Sequence, residues 1–154
     1  IFDWDVHHGN GTQNSFYSDP SVYYSSVHQY PFYPGTGDAR ETGKGDGLGT
    51  NLNFPMPPCS GDDDYLELIE NKLIPEMFRF KPDLILLSAG FDAHKDDPLA
   101  NMQLTTECYG KMTRLILRAA QEICAGRLIS MLEGGYNHSA LSDSVLCHIK
   151  ELLG

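Results

Sequence analysis

The stretch from "DLILLSAG" at 83–90 through a helical pattern to "GRLISMLEGG" at 126–135 constrains the fold of this chain more than any other feature. Both runs are short, continuously apolar and followed by Gly or polar residues, as buried parallel strands are where they hand over to loops. Between them, residues 105–125 open on Thr105 and Thr106 as caps and carry Tyr109, Met112, Leu115, Ile116, Ala119 and Ile123 at helical spacing. A third apolar run, "IFDWDV", begins the chain, and weaker strand signals stand at 21–28 and 49–55. A second helical stripe over 63–80 holds Tyr65, Leu66, Ile69, Leu73, Ile74 and Met77, with Pro75 inside it as a kink or a break. A last helix over 138–153 follows Asn137. Alternation of this kind predicts an α/β fold in which a parallel sheet carries helices on both faces.

With 154 residues, 41% of them hydrophobic, the chain suffices for one domain with a sizeable core, or for part of one. Lys and Arg total 11 against 21 Asp and Glu, a net charge of -10. That balance argues against a nucleic-acid-binding surface and for cationic partners or bound cations. The acidic run Asp62-Asp63-Asp64 fits a helix N-terminus, where the dipole favours negative charge. Cys59, Cys108, Cys124 and Cys147 are widely spaced and form no C-x-x-C, so reduced, buried thiols of a cytosolic protein are expected rather than a zinc knuckle or redox pair. No apolar run approaches the ~20 residues of a bilayer span and no signal-peptide pattern is present, so no membrane partner is expected. The expected compartment is the cytoplasm or, in a eukaryotic cell, the nucleus.

The segment 30–49, "YPFYPGTGDARETGKGDGLG", is long, aperiodic and rich in Gly and Pro, and loops of that length in a compact domain are usually functional. Its "GKG" does not make a phosphate loop, since Asp38 stands where Gly is needed and Gly45 where Ser or Thr is needed. On the first strand, alternation puts Asp3, Asp5 and His7 on one face and Trp4, Val6 and His8 on the other. Ligands of open α/β sheets gather at the carboxyl ends of the strands. There the first strand presents Asp5 and His7, the second Asp92 and the third Tyr136. Two carboxylates and an imidazole can hold a divalent metal with positions left for water and substrate. Asp-x-His by itself is equally a pair of hydrogen-bonded strand-end residues, so that motif alone leaves both readings open.

Taken in order, "DWDVHHGNGTQ", "YPGTGD", "SAGFDAHKDDPL" and "LEGGYN" resemble the zinc-dependent histone deacetylase and acetylpolyamine amidohydrolase superfamily, in its class II-like branch, over essentially all 154 residues. The resemblance implies an arginase/deacetylase-like three-layer α/β fold, incomplete at the N-terminus, with residues 1–154 forming the C-terminal portion of a single catalytic domain. It implies that Asp5, His7 and Asp92 are zinc ligands, a set that also tolerates Fe(II), and that Tyr136 is the catalytic tyrosine. The implied reaction is hydrolysis of acetyl or acyl groups from lysine side chains of proteins. Acetylpolyamines and other small amides are alternative substrates, and a catalytically silent metal-binding fragment is the alternative of another class. The family's general base belongs to a His-His pair upstream of the strand that begins this chain, so the chain alone is expected to be inactive. Asp3 matches the carboxylate that orients one histidine of that pair, and Asn10 stands at the partner position of the other.

Further positions carry over from the same resemblance. Asp3, Asp5, His7, Ser26 and Val27 match a structural potassium site contributed largely by backbone carbonyls, and Phe16, Asp19 and Val22 match a second, outer one. Tyr33 matches an aromatic wall of the acyl-lysine tunnel and Leu99 its rim, whose apolar character favours acyl-lysine over a polyamine. Gly134 and Gly135 beside the tyrosine give that loop freedom and let substrate approach closely. Of the other histidines, His8 reads as structural, His28 as packing near the potassium site, His94 as shaping the rim, and His138 and His148 as surface or cap residues.

Overall fold

The computed structural model describes residues 1–154. Five strands, β1 (Phe2–Asp3), β2 (Tyr24–Gln29), β3 (Asn51–Met56), β4 (Ile85–Ala89) and β5 (Leu128–Leu132), form one sheet in the order β3-β2-β1-β4-β5 with every pair parallel. The helices are α1 (Asn10–Phe16), α2 (Asp62–Leu68), α3 (Ile74–Phe80), α4 (Thr106–Cys124) and α5 (His138–Leu153). From β1 the chain winds outward through β2 to β3, then crosses back to lay β4 on the other side of β1. The topological switch point therefore lies between β1 and β4, and a crevice at their carboxyl ends is where such a sheet receives a ligand.

Strand β1 is shorter than the apolar run "IFDWDV" suggests, and its own aspartates are the reason. The Asp5 amide donates to Asp3 Oδ1 and the His7 amide to Asp5 Oδ1, two successive Asx turns that replace ladder hydrogen bonds. The alternation of side chains survives the bend, with Trp4 and Val6 fully buried and Asp5 and His7 partly exposed. Trp4 meets Tyr109 of α4 and His148 of α5 edge-on, with ring centroids 6.4 and 5.6 Å apart, so the buried side of this segment packs beneath the two longest helices.

The helical stripe over 63–80 forms as α2 and α3 joined by a π-helical turn at Ile69–Leu73. Pro75 lacks the N–H that an α-helix would use, and a widened turn just before it accommodates the defect. Tyr65, Ile69, Leu73 and Met77 are all buried. Spaced by four, they would drift about 120° around a regular helix, and the π turn keeps them on one side. The acidic run does start α2, where Asp64 accepts from the Gly61 amide at 2.8 Å. Asp62 additionally accepts from the amide and hydroxyl of Thr105, the residue that caps α4, and so ties two helix starts together.

Strand β5 pairs in parallel with β4 as its apolar run suggests, and within these 154 residues Ile129 and Met131, on the face away from α5, are 51% and 39% exposed. Two expectations need correction. His148 is buried at 4% exposure, with Nδ1 2.7 Å from the Thr113 hydroxyl and Nε2 2.8 Å from that of Ser130. Of the four free cysteines only Cys108 and Cys124 are buried, Cys147 is intermediate and Cys59 is exposed. No helix is long and apolar enough to cross a membrane.

Candidate metal centre

The bend after β1 and the loop after β4 bring Asp5, His7 and Asp92 together at the switch point, with one potential ligand atom from each lying within 4.8 Å of the others. His7 Nδ1 is 3.1 Å from Asp5 Oδ1 and 3.1 Å from Asp92 Oδ2. The remaining carboxylate oxygens are held by backbone amides, Asp5 Oδ2 by Gly134 at 2.9 Å and Asp92 Oδ1 by Val6 at 2.8 Å. Each carboxylate is thus oriented by a backbone amide from another segment, the kind of support that metal-binding side chains receive.

Gly134 reaches this position because it has no side chain. A Cβ there would overlap Asp92 Oδ2 and lie 2.6 Å from Asp5 Oδ2. Its lack of a side chain thus serves the packing of the two carboxylates, where freedom for the loop was expected. Gly90 is constrained alike, since a Cβ there would collide with the Asp5 side chain and Cα.

The electrostatics fit a cation. Hydrogen bonds from the imidazole to Asp5 and Asp92 push the His7 pKa up to about 10, so without a metal the ring is the cation between two carboxylates. Burial raises Asp92. It works the same way on Asp5, but there the hydrogen bonds from the His7 ring, the His7 amide and the Gly134 amide outweigh it and hold the carboxyl below its usual range. Burial and then the Asp5 charge push Asp3 up to about 8, and Asp3 Oδ2 accepts from the Tyr24 hydroxyl at 3.1 Å. Two carboxylates and a deprotonated imidazole converging this closely repel one another unless a proton or a cation lies between them. Oxygen and nitrogen donors of this kind suit a divalent metal that keeps open positions.

A cavity of about 450 Å³ adjoins the group, lined by Asp3, Asp5, His7, Glu133, Gly134 and Tyr136 among others. A more apolar groove of about 600 Å³, lined by Phe2, Val22, Met77 and Phe80 among others, lies instead at the amino ends of the strands. Tyr136 is 49% exposed, its ring edge-on to His7 at 6.5 Å. Burial and the charges of Asp92, Asp5 and Asp97 raise its pKa, which keeps the phenol protonated and able to donate. Tyr33 is 76% exposed, its ring edge-on to His7 at 6.1 Å.

The other expected positions fall as follows. Asp3 pairs with Ser26 in the β1–β2 register, beside Val27. Phe16, Asp19 and Val22 share the turn after α1, where the Asp19 amide donates to the Phe16 carbonyl and the Val22 amide to that of Asp19. Leu99 is half-exposed and its amide donates to Asp97. His8 is buried away from the ligand group, with Nδ1 2.8 Å from the Thr36 hydroxyl and Nε2 2.9 Å from Gln13 Oε1. His28 contacts Ser26 and Gly37, and its burial, with the neighbouring His8, lowers its pKa to about 4.

Two residues at the site escaped the sequence reading. Phe32 stacks on the His7 ring at 5.3 Å and 23°, closer than Tyr33. The signal, "YPFYPG", was visible, but adjacent aromatics in an aperiodic loop give no clue to which one turns inward. Asp97 accepts from the Tyr136 amide, which is 39 positions away.

Comparison with known proteins identifies the family. The model of the family described as the histone deacetylase domain matches residues 1–152. The chain is 51% identical over all of its 154 residues to Histone deacetylase 14, chloroplastic, of Arabidopsis thaliana and 47% identical over the same length to Histone deacetylase 10, chloroplastic, of Oryza sativa subsp. japonica. It spans 36% and 35% of those two proteins, about a third of each. The solved structure of the histone deacetylase Clr3 superimposes with a TM-score of 0.94 at 42% identity, covering 100% of this chain and 26% of that one. A family match over almost the whole length and the close superposition agree: the chain belongs to the histone deacetylase family.

Proposed function

We propose that the protein containing this chain is a zinc-dependent lysine deacetylase, with Asp5, His7 and Asp92 holding the metal and Tyr136 assisting the reaction. The convergence of the three ligand atoms within 4.8 Å, with the Tyr136 ring beside them, is the observation that carries the reading. A bound divalent metal would polarise the acetyl carbonyl and lower the pKa of a water. Asp5 and Asp92 balance its charge, and His7 gives up its proton on binding it. The Tyr136 hydroxyl donates to the oxygen that becomes negative as the amide carbon is attacked. Phe32 and Tyr33 wall one side of the approach, and the apolar Leu99 suits the carbon stem of a lysine.

His8 is not the base on this reading, because both of its ring nitrogens are committed to Thr36 and Gln13. We assign the base to the part of the protein outside these 154 residues, with Asp3 orienting it, and treat this chain as the C-terminal portion of the catalytic domain. The chain alone then has little turnover. Asp3, Asp5, His7, Ser26 and Val27, and separately Phe16, Asp19 and Val22, are our candidates for structural potassium.

Tyr136→Phe in the zinc-loaded full-length protein tests the assignment. It is expected to keep one zinc per chain and to lower kcat on an acetyl-lysine peptide by roughly 10²–10³-fold, the usual loss of one oxyanion donor. Unchanged kcat would remove Tyr136 from the mechanism, and a wild-type protein with bound zinc and no hydrolysis would remove the mechanism itself.

A further inference from the structure

We propose that Asp97 is a positioning residue that sets Tyr136 and the Leu99 rim against the metal group. The inference rests on the deacetylase reading for its catalytic consequence and on geometry for the rest. Asp97 is only 7% exposed, and a carboxylate so far out of water is costly unless its oxygens are hydrogen-bonded. Both are. Oδ1 accepts from the Leu99 amide at 2.9 Å and Oδ2 from the Tyr136 amide at 2.8 Å. With one oxygen on an amide two residues away and the other on an amide 39 residues away, this side chain clamps two loops together.

The clamp falls where Tyr136 has little else to hold it. Half of the Tyr136 side chain is exposed, and Gly134 and Gly135 before it have no side chains to pack. The next residue, Asn137, caps α5 through its Oδ1 and donates from Nδ2 to the Asp96 carbonyl at 2.9 Å. Asp96 and Asp97 therefore grip the consecutive residues Asn137 and Tyr136, and the turn that carries them is closed by the Asp97 amide on the His94 carbonyl at 2.9 Å. Asp97 itself bonds only backbone amides here, so it acts through Tyr136 and Leu99 and not as a catalytic residue. A misplacement of about 1 Å in such a group costs on the order of 10²-fold in rate.

The test compares Asp97→Ala and Asp97→Asn with wild type in the zinc-loaded full-length protein. Asp97→Ala is expected to keep its zinc and lower kcat on an acetyl-lysine peptide about 100-fold, with KM changing much less. Asp97→Asn, which keeps one carbonyl acceptor for two donors, falls between Asp97→Ala and wild type. Amide hydrogen exchange at Tyr136 and Leu99 quickens at least about tenfold in Asp97→Ala, whereas exchange at Val6 and Gly134, which bond the ligand carboxylates, holds. Wild-type kcat and wild-type exchange at both amides would overturn the inference, as would a fall in kcat that merely follows loss of zinc. If Asp97→Ala does not fold, the same two readouts on Asp97→Asn decide. An inactive wild-type protein defeats the deacetylase reading alone, because the exchange rates still report whether Asp97 holds Tyr136.

Discussion

His7 and His148 lie on opposite sides of the segment that follows β1. His7 Nδ1 is 3.1 Å from each of two carboxylates, whereas His148, packed against Trp4, meets two hydroxyls, Thr113 on α4 and Ser130 on β5. The carboxylates push His7 up to about 10. Burial with only neutral partners pushes His148 down to about 4. One ring thus holds a proton between two carboxylates, where we place the metal, and the other stays neutral and ties a strand to two helices. The difference teaches that a histidine's task here is set by the charge of what faces it, since both rings are hydrogen-bonded.

The comparison breaks most completely at Asp92. Asp92→Ala removes a proposed ligand, leaves the Val6 amide without its acceptor and takes away one of the two carboxylates that raise His7. Metal content of the purified protein, read by elemental analysis, is expected to fall from one per chain to near zero, and full retention would mean that the site is elsewhere. Gly134→Ala leaves every ligand in place but puts a methyl group onto the two carboxylates. It is expected to cost about 10–100-fold in zinc affinity, measured by chelator competition with the fold retained by circular dichroism, as disturbed outer-shell contacts do.

The smallest effect sharpens the other half of the comparison. The folded pKa of His148 lies below the unfolded value of 6.5, so its burial as a neutral ring costs nothing above pH 6.5. Stability is then lost as the pH falls from 6.5 toward 4, because the unfolded chain takes up a proton that the folded one refuses. For this one ring the loss at pH 5 is about 2 kcal/mol. His28, also lowered to about 4 by burial and then by His8, adds to the same window. Chemical denaturation at pH 7 and pH 5 is expected to show a smaller drop in His148→Gln than in wild type, by about that amount, and an equal drop would mean that His148 is not the proton-refusing group.

Much of this was legible because it is local. Thr105 caps α4 through its side chain and Asn137 caps α5, as their positions before periodic apolar runs suggested. Asp5, His7 and Asp92 could be read as a ligand group because each stands just past an apolar run, where a parallel sheet delivers side chains to one crevice. What was not legible depended on partners distant in the chain. His148 looks like a surface residue until Thr113, 35 positions away, and Ser130, 18 away, are seen against it. Asp96 and Asp97 are indistinguishable as letters, yet the one is exposed and the other is buried on two amides. The end of β1 at Asp3 followed from Asx turns that compete with the ladder, a choice that strand propensity does not weigh.

The sequence by itself determined the alternation of strands and helices, the residues able to bind a metal and the family resemblance, since each depends on residue type and spacing along the chain. Only the tertiary structure decided that Gly134 lets two carboxylates meet, that Phe32 and not only Tyr33 faces His7, and that the Tyr136 amide bonds Asp97. The physical reason is that burial, close approach and charge pairing are properties of neighbours in space, and a parallel sheet makes neighbours of residues far apart in the chain.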